Sequence, residues 1–131
     1  SIRNDHAYWK RQVAFDDSYA SFRKYLDVVF TYAGTLSLEA SLKPQKTAAL
    51  SVGDVFIRGG SPGHAVIVVD VVENARGEKR FLLAQSYMPA QEIHVLKNEN
   101  STDGSAWYDA RLNGRLETPE WDFKERELKT W

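Results

Sequence analysis

Val52–Asp70 reads VGDVFIRGGSPGHAVIVVD, and the fold turns on how this stretch is divided. In its middle, Arg58–His64 (RGGSPGH) holds three glycines and one proline in seven positions. Glycine reaches backbone conformations closed to other residues and proline fixes its own, so these residues form a tight, sterically open turn. Before the turn, Val52–Arg58 reads as a strand with Val55 and Ile57 on one face and Phe56 on the other. After it, His64–Val72 is almost continuously apolar and rich in β-branched residues, the composition of a central strand buried on both faces. Asn74–Lys79 (NARGEK) follows as a turn in which Gly77 can take a positive φ, and Arg80–Ser86 (RFLLAQS) returns as the second arm of a hairpin. Glu92–Lys97 (EIHVLK) alternates as a further strand with Ile93 and Val95 inward.

Working toward the N-terminus, Pro44 breaks a short segment around Leu36–Leu42, and before that lies the main helix. Asp16, Asp17 and Ser18 supply side-chain oxygens for the amides of a first turn. Tyr19, Phe22, Leu26, Val29, Phe30 and Ala33 then recur at three-to-four spacing, with Arg23, Lys24 and Asp27 opposite, and Gly34 is placed for a left-handed C-cap. Residues 1–17 are polar with scattered Tyr8, Trp9 and Phe15, which predicts irregular chain leaning on the core. Toward the C-terminus, Asn98–Gly104 reads as a polar loop. The tail from Trp107, carrying Trp121, Phe123, Leu128 and Trp131, reads as an extended cover. The predicted fold class is therefore α+β in one domain, 1–131. It divides into a lead-in (1–17), a main helix (18–34) packed on a small antiparallel sheet (52–97), and a loop with a C-terminal cover (98–131).

Composition bounds the chemistry. With 131 residues, 43% hydrophobic and 27% charged, the chain is ordinary globular protein. Net charge is -1, and basic residues alternate with acidic ones, as in KERELK from Lys124. That leaves no basic face for nucleic acid or an anionic membrane. The longest apolar run, AVIVV over Ala65–Val69, is far short of a membrane span. There is no cysteine, so disulfides, thiolate zinc sites and a cysteine nucleophile within these residues are excluded. His6, His64 and His94 match no ligand spacing, so no metal and no cofactor are expected. The first residue is Ser rather than Met, which reads as a processed or truncated piece of something longer.

His64 is the candidate reacting group. A histidine delivered by a glycine turn to the start of a buried strand can face a cleft with one ring nitrogen and be tied by the other, as a general base requires. Folding the hairpin around NARGEK returns Gln85 and Ser86 beside His64, and an amide can orient an imidazole without adding charge. In QSYMPAQ (Gln85–Gln91), Tyr87 and Gln91 are candidate substrate contacts together with Ser61 of the glycine turn, while packing of Tyr87 and Met88 into the core is the plainer alternative. Ser18 and Ser21 near the helix start read as a cap and a polar-face residue. Asp54 reads as a turn cap, and Asp70 must find a partner or a sheet edge.

GDVFI, a Gly-rich loop and GHAVIVVD resemble the core of the papain-like NlpC/P60 superfamily, over roughly a third of the chain. The resemblance implies a nucleophilic Cys on a helix, His64 as its catalytic base and Gln85 as the residue that orients the ring. A broader match covers YLDVVFTYAGTLSL, GDVFIRGGSPGHAVIVVD, LLAQSYMPAQ and TPEW. These resemble an uncharacterised bacterial family, domain of unknown function number four-eight-four-six, whose members are longer and carry an upstream Cys-Ala-Asp helix that this chain lacks. Together the two resemblances imply a truncated or nucleophile-lacking hydrolase domain whose parent acts on peptide or amide bonds in the periplasm or cell envelope. A non-catalytic module that binds a peptide or glycan, or a structural accessory domain, is the alternative.

Overall fold

The computed structural model describes every residue except 1, 5, 9, 12 and 90. In chain order its elements are β1 (Ile2–Arg3), β2 (His6–Ala7), α1 (Tyr19–Tyr32), α2 (Thr35–Ser41), β3 (Lys43–Pro44), β4 (Val55–Arg58) and β5 (His64–Glu73). There follow β6 (Lys79–Gln85), β7 (His94–Val95), β8 (Tyr108–Asp109), β9 (Arg115–Glu117), β10 (Asp122–Lys124) and β11 (Leu128–Thr130), with single 3-10 turns at Thr47–Ala49 and Glu125–Glu127. The principal sheet runs β3-β11-β4-β5-β6-β7, with β8 also on β6, and all its pairings are antiparallel. Two helices with a mostly antiparallel sheet make the domain α+β.

Strand alternation gives the sheet two differently covered faces. Val55 and Ile57 of β4 point one way and form a small cluster with Leu42, packed by Leu38 of α2 and by Ala65 and Ile67. Phe56, Val66, Val68, Phe81 and Leu83 point the other way into a larger core closed by Tyr108, Leu116, Phe123 and Leu128 from the C-terminal third. Phe56 stacks on Phe81 at 5.9 Å, and Phe81 on Tyr108 at 5.7 Å. β5 is central, between β4 and β6, but it is not buried on both faces along its length. His64, Val66 and Val68 are buried, Ala65 and Ile67 only half so, and Val69 and Val72 are exposed. Its pairing with β6 shifts register between Val68 and Asp70, and exposed Asp70 turns its Oδ1 back to accept from the Val71 amide at 2.8 Å.

Five expectations need correction. The long helix does not pack on the sheet: α1 buries none of its residues, and the element lying against β4 is α2. Periodicity shows which side chains share a face and says nothing of what covers it. Helix α1 is capped as expected, Ser18 Oγ accepting from the Ser21 amide at 3.2 Å. Its end is not a left-handed Gly34, however, for that residue is extended (φ -120, ψ 168) and begins α2. The lead-in carries the small β1–β2 ladder beside α2, and Phe15 is exposed rather than leaning on the core; Trp9 lies outside the described residues. Of Glu92–Lys97 only His94–Val95 is strand, and its inward residue is Leu96 while Ile93 and Val95 are exposed. The tail is also more than a cover. β11 enters the sheet between β3 and β4, β8 joins β6, and β9 and β10 form their own hairpin against the larger core.

Candidate functional site

The site begins with loop 59–63, which the sheet and α2 hold between them. Glu39 Oε2 accepts from the Gly59 amide at 2.8 Å. A Cβ on Gly59 would meet that oxygen at 2.6 Å and Leu36 Cα at 3.0 Å. At Gly63 it would collide with Thr35 Oγ1 and stand 2.7 and 2.8 Å from the Gly60 amide nitrogen and carbonyl oxygen. Side chains would push the loop off α2, so the glycines here provide close approach. Ser61 is exposed in this loop, and the Ser61–Pro62 and Met88–Pro89 bonds are both cis.

β5 then carries His64 onto the same face as Val66 and Val68, toward the C-terminal hairpin. The β5–β6 hairpin brings Gln85 to it: Nε2 of His64 lies 2.6 Å from Gln85 Oε1, in a pair with His64 9% and Gln85 3% exposed. The Gln85 amide nitrogen in turn donates to Glu120 Oε2 at 2.6 Å. The other imidazole nitrogen, Nδ1, takes no partner among the described residues, and it is not among the side-chain polar atoms closed off from solvent without one. An imidazole tied at one nitrogen and open at the other can accept and return a proton in one fixed direction.

Three aromatic rings surround the imidazole. Tyr87 meets it edge-on at 5.2 Å, Trp121 is tilted over it at 5.6 Å and Phe123 lies nearly parallel at 6.1 Å. Trp121 Nε1 is buried without a hydrogen-bond partner among the described residues. The Arg58 guanidinium lies 5.7 Å from the Trp121 ring, bonds Glu127 through two nitrogens at 2.8 Å each, and donates to the Asp122 carbonyl at 3.0 Å. The Glu127 bond holds the Arg58 pKa above its ordinary value. Burial pushes the Glu127 carboxyl up, but bonds from Arg58 and the Lys124 amide outweigh it and leave the carboxyl below its ordinary range. Burial, reinforced by Glu120 and Glu99, raises the Tyr108 phenol to about 12 while its hydroxyl donates to the Lys97 carbonyl at 2.6 Å.

Of the candidate residues, His64, Gln85 and Tyr87 come together. Tyr87 is half-buried against His64 and Met88 is 82% exposed, so the QSYMPAQ segment is not a core bulge. Gln91 is exposed and is joined to the group through its backbone, its main-chain N–H donating to the Tyr87 carbonyl at 2.9 Å. Ser86 is exposed. Asp54 is buried and accepts from the Ser51 amide at 2.9 Å, a turn cap. No group of three or more His, Asp or Glu side chains able to hold a metal occurs among the described residues. A recess of about 690 Å³ lined by Gln45, Lys46, Thr47, Lys124 and Arg126 lies apart from His64.

Glu120, Trp121, Phe123 and Arg58 are the site residues that sequence patterning did not assign. Thr118–Trp121, TPEW, was the one signal for Glu120 and Trp121: Thr118 Oγ1 and its amide both engage Trp121 O, closing a turn between β9 and β10.

Fold and site thus define an α+β domain whose antiparallel sheet presents a buried imidazole–amide pair beneath a C-terminal aromatic hairpin. The chain belongs to the family described as Domain of unknown function (4846), whose model matches residues 1–130. No curated protein and no solved structure matches it.

Proposed function

We propose that this domain supplies the general base of a papain-like thiol hydrolase acting on a peptide or amide carbonyl. The carrying observation is the 2.6 Å contact of His64 Nε2 with the buried Gln85 amide, which leaves Nδ1 as the nitrogen free to exchange protons. The cysteine count is zero, so the attacking thiolate comes from outside residues 1–131. Nδ1 takes the thiol proton, the thiolate adds to the carbonyl carbon, and the same nitrogen returns the proton to the departing amine. Gln85 holds the ring through both transfers. Tyr87, half-buried against the imidazole, and the exposed Gln91 and Ser61 contact the substrate. Resemblance to the NlpC/P60 core directs this reading to a cell-wall peptide of the bacterial envelope. No described helix is long and apolar enough to cross a membrane.

The test uses a thiol-directed probe on the gene product that contains this domain. One cysteine outside residues 1–131 should be labelled, and His64→Ala should slow that labelling about tenfold or more, since the thiolate fraction sets the rate. Labelling indifferent to His64, or no cysteine to label, defeats the reading.

A second reading is favoured by the aromatic rings themselves. Tyr87 and Trp121, with exposed Gln91 nearby, form the kind of surface that holds a peptide or glycan without chemistry. Saturable binding of such a ligand, unchanged in His64→Ala, would select it.

A further inference from the structure

We infer that Glu120 is a positioning residue that decides which nitrogen of His64 carries the hydrogen, keeping Nδ1 as the proton acceptor. The inference rests on the general-base reading of His64. It follows from what each group can donate. A carboxylate only accepts, a primary amide has one donating and one accepting end, and a neutral imidazole has one nitrogen of each kind.

Glu120 Oε2 stands 2.6 Å from the Gln85 amide nitrogen. Reversing the amide would set two accepting oxygens against each other at that distance, so Gln85 must give its NH2 to Glu120. Its carbonyl oxygen then faces His64, 2.6 Å from the ring Nε2. Because a carbonyl only accepts, Nε2 bears the hydrogen, and the lone pair of the neutral ring is left on Nδ1. Gln85 alone does not fix this, since a lone amide satisfies an imidazole equally well in either orientation. At 3% exposure, Gln85 has almost no water to orient it, whereas Glu120 is only half-buried, at the rim. A charge on the β9–β10 turn is thus read two hydrogen bonds deeper, at a ring it does not touch.

The experiment is made on residues 1–131 by long-range 1H–15N correlation spectra of His64, at a pH where the ring is neutral. Wild type should show hydrogen on Nε2 and a bare Nδ1. Glu120→Gln, able to donate or accept, should lower the Nε2–H to Nδ1–H ratio about tenfold, the scale of a lost charged hydrogen bond. Glu120→Lys should turn the amide round and shift the hydrogen toward Nδ1, and Glu120→Asp should restore the wild-type pattern. Unfolding midpoints confirm that each variant is folded; should the Lys variant not fold, the Gln variant decides. A wild-type hydrogen on Nδ1, or a ratio unmoved in folded Glu120→Gln, overturns the inference. The readout is a tautomer and not turnover, so a failed thiol-labelling test removes the proton-acceptor role and leaves the tautomer assignment, and a failed tautomer test leaves the hydrolase reading to its own experiment.

Discussion

Strand β5 and helix α1 are comparably apolar in sequence and opposite in outcome. β5 buries His64, Val66 and Val68 beneath the C-terminal hairpin, whereas α1 buries nothing and leaves Phe30 71% exposed. The strand receives hydrogen-bonded neighbours on both sides, and each neighbour brings side chains onto its face. The helix satisfies its own backbone and needs no neighbour for that, so its stripe alone does not summon a cover. Apolar patterning marks a face as coverable, and only long-range pairing shows that it is covered.

The sharpest way to break this contrast is to truncate one phenylalanine in each region. Phe56→Ala, at a site with no exposure between Phe81 and Phe123, should lower unfolding free energy by about 3–5 kcal/mol in denaturant titration. Phe30→Ala should stay within about 0.5 kcal/mol. Equal losses would mean that α1 is covered in solution. Next comes the joint between the regions. Gly63→Ala would drive a methyl into Thr35 and the Gly60 backbone, costing about 1–3 kcal/mol and shifting the His64 ring resonances, because α2 and the loop cannot both stay in place.

A smaller effect is expected where β4 grips the tail. Arg58→Ala removes the bidentate pair with Glu127 and the bond to the Asp122 carbonyl. Arg58 is 39% exposed, so solvent screening limits the loss to about 1 kcal/mol near neutral pH. The Glu127 carboxyl is held below its ordinary range, so the pair stabilises the fold above that range and loses its effect as pH falls through the lowered value. The gap between wild type and Arg58→Ala should therefore close in acid. Smallest of all, Ser18→Ala removes the α1 cap; hydrogen exchange should quicken in its first turn while global stability moves by less than about 0.5 kcal/mol, because no core packing depends on that helix.

Legibility in the sequence divides along the same line. The His64–Gln85 contact was readable because one hairpin links the two residues and NARGEK marks its turn. The bulge between Val68 and Asp70 was not, since a register shift leaves no mark in an apolar run. Glu120, Trp121 and Phe123 were hidden because β9 and β10 are three residues each, too short for a period to show. β11 escaped for a different reason. Its partner residues in β4 lie more than seventy positions earlier, Leu128 beside Phe56, and local patterning carries no information at that separation. The exposure of α1 was unreadable in principle, because its stripe is what a covered helix would also show.

The placing of β11 beside β4 bears on how the molecule is made. A ribosome extruding this chain delivers β4, β5 and β6 early, but the position next to β4 stays vacant until Leu128–Thr130 emerge. During translation the edge of β4 therefore offers unpaired amides and carbonyls to any extended segment nearby until β11 is released.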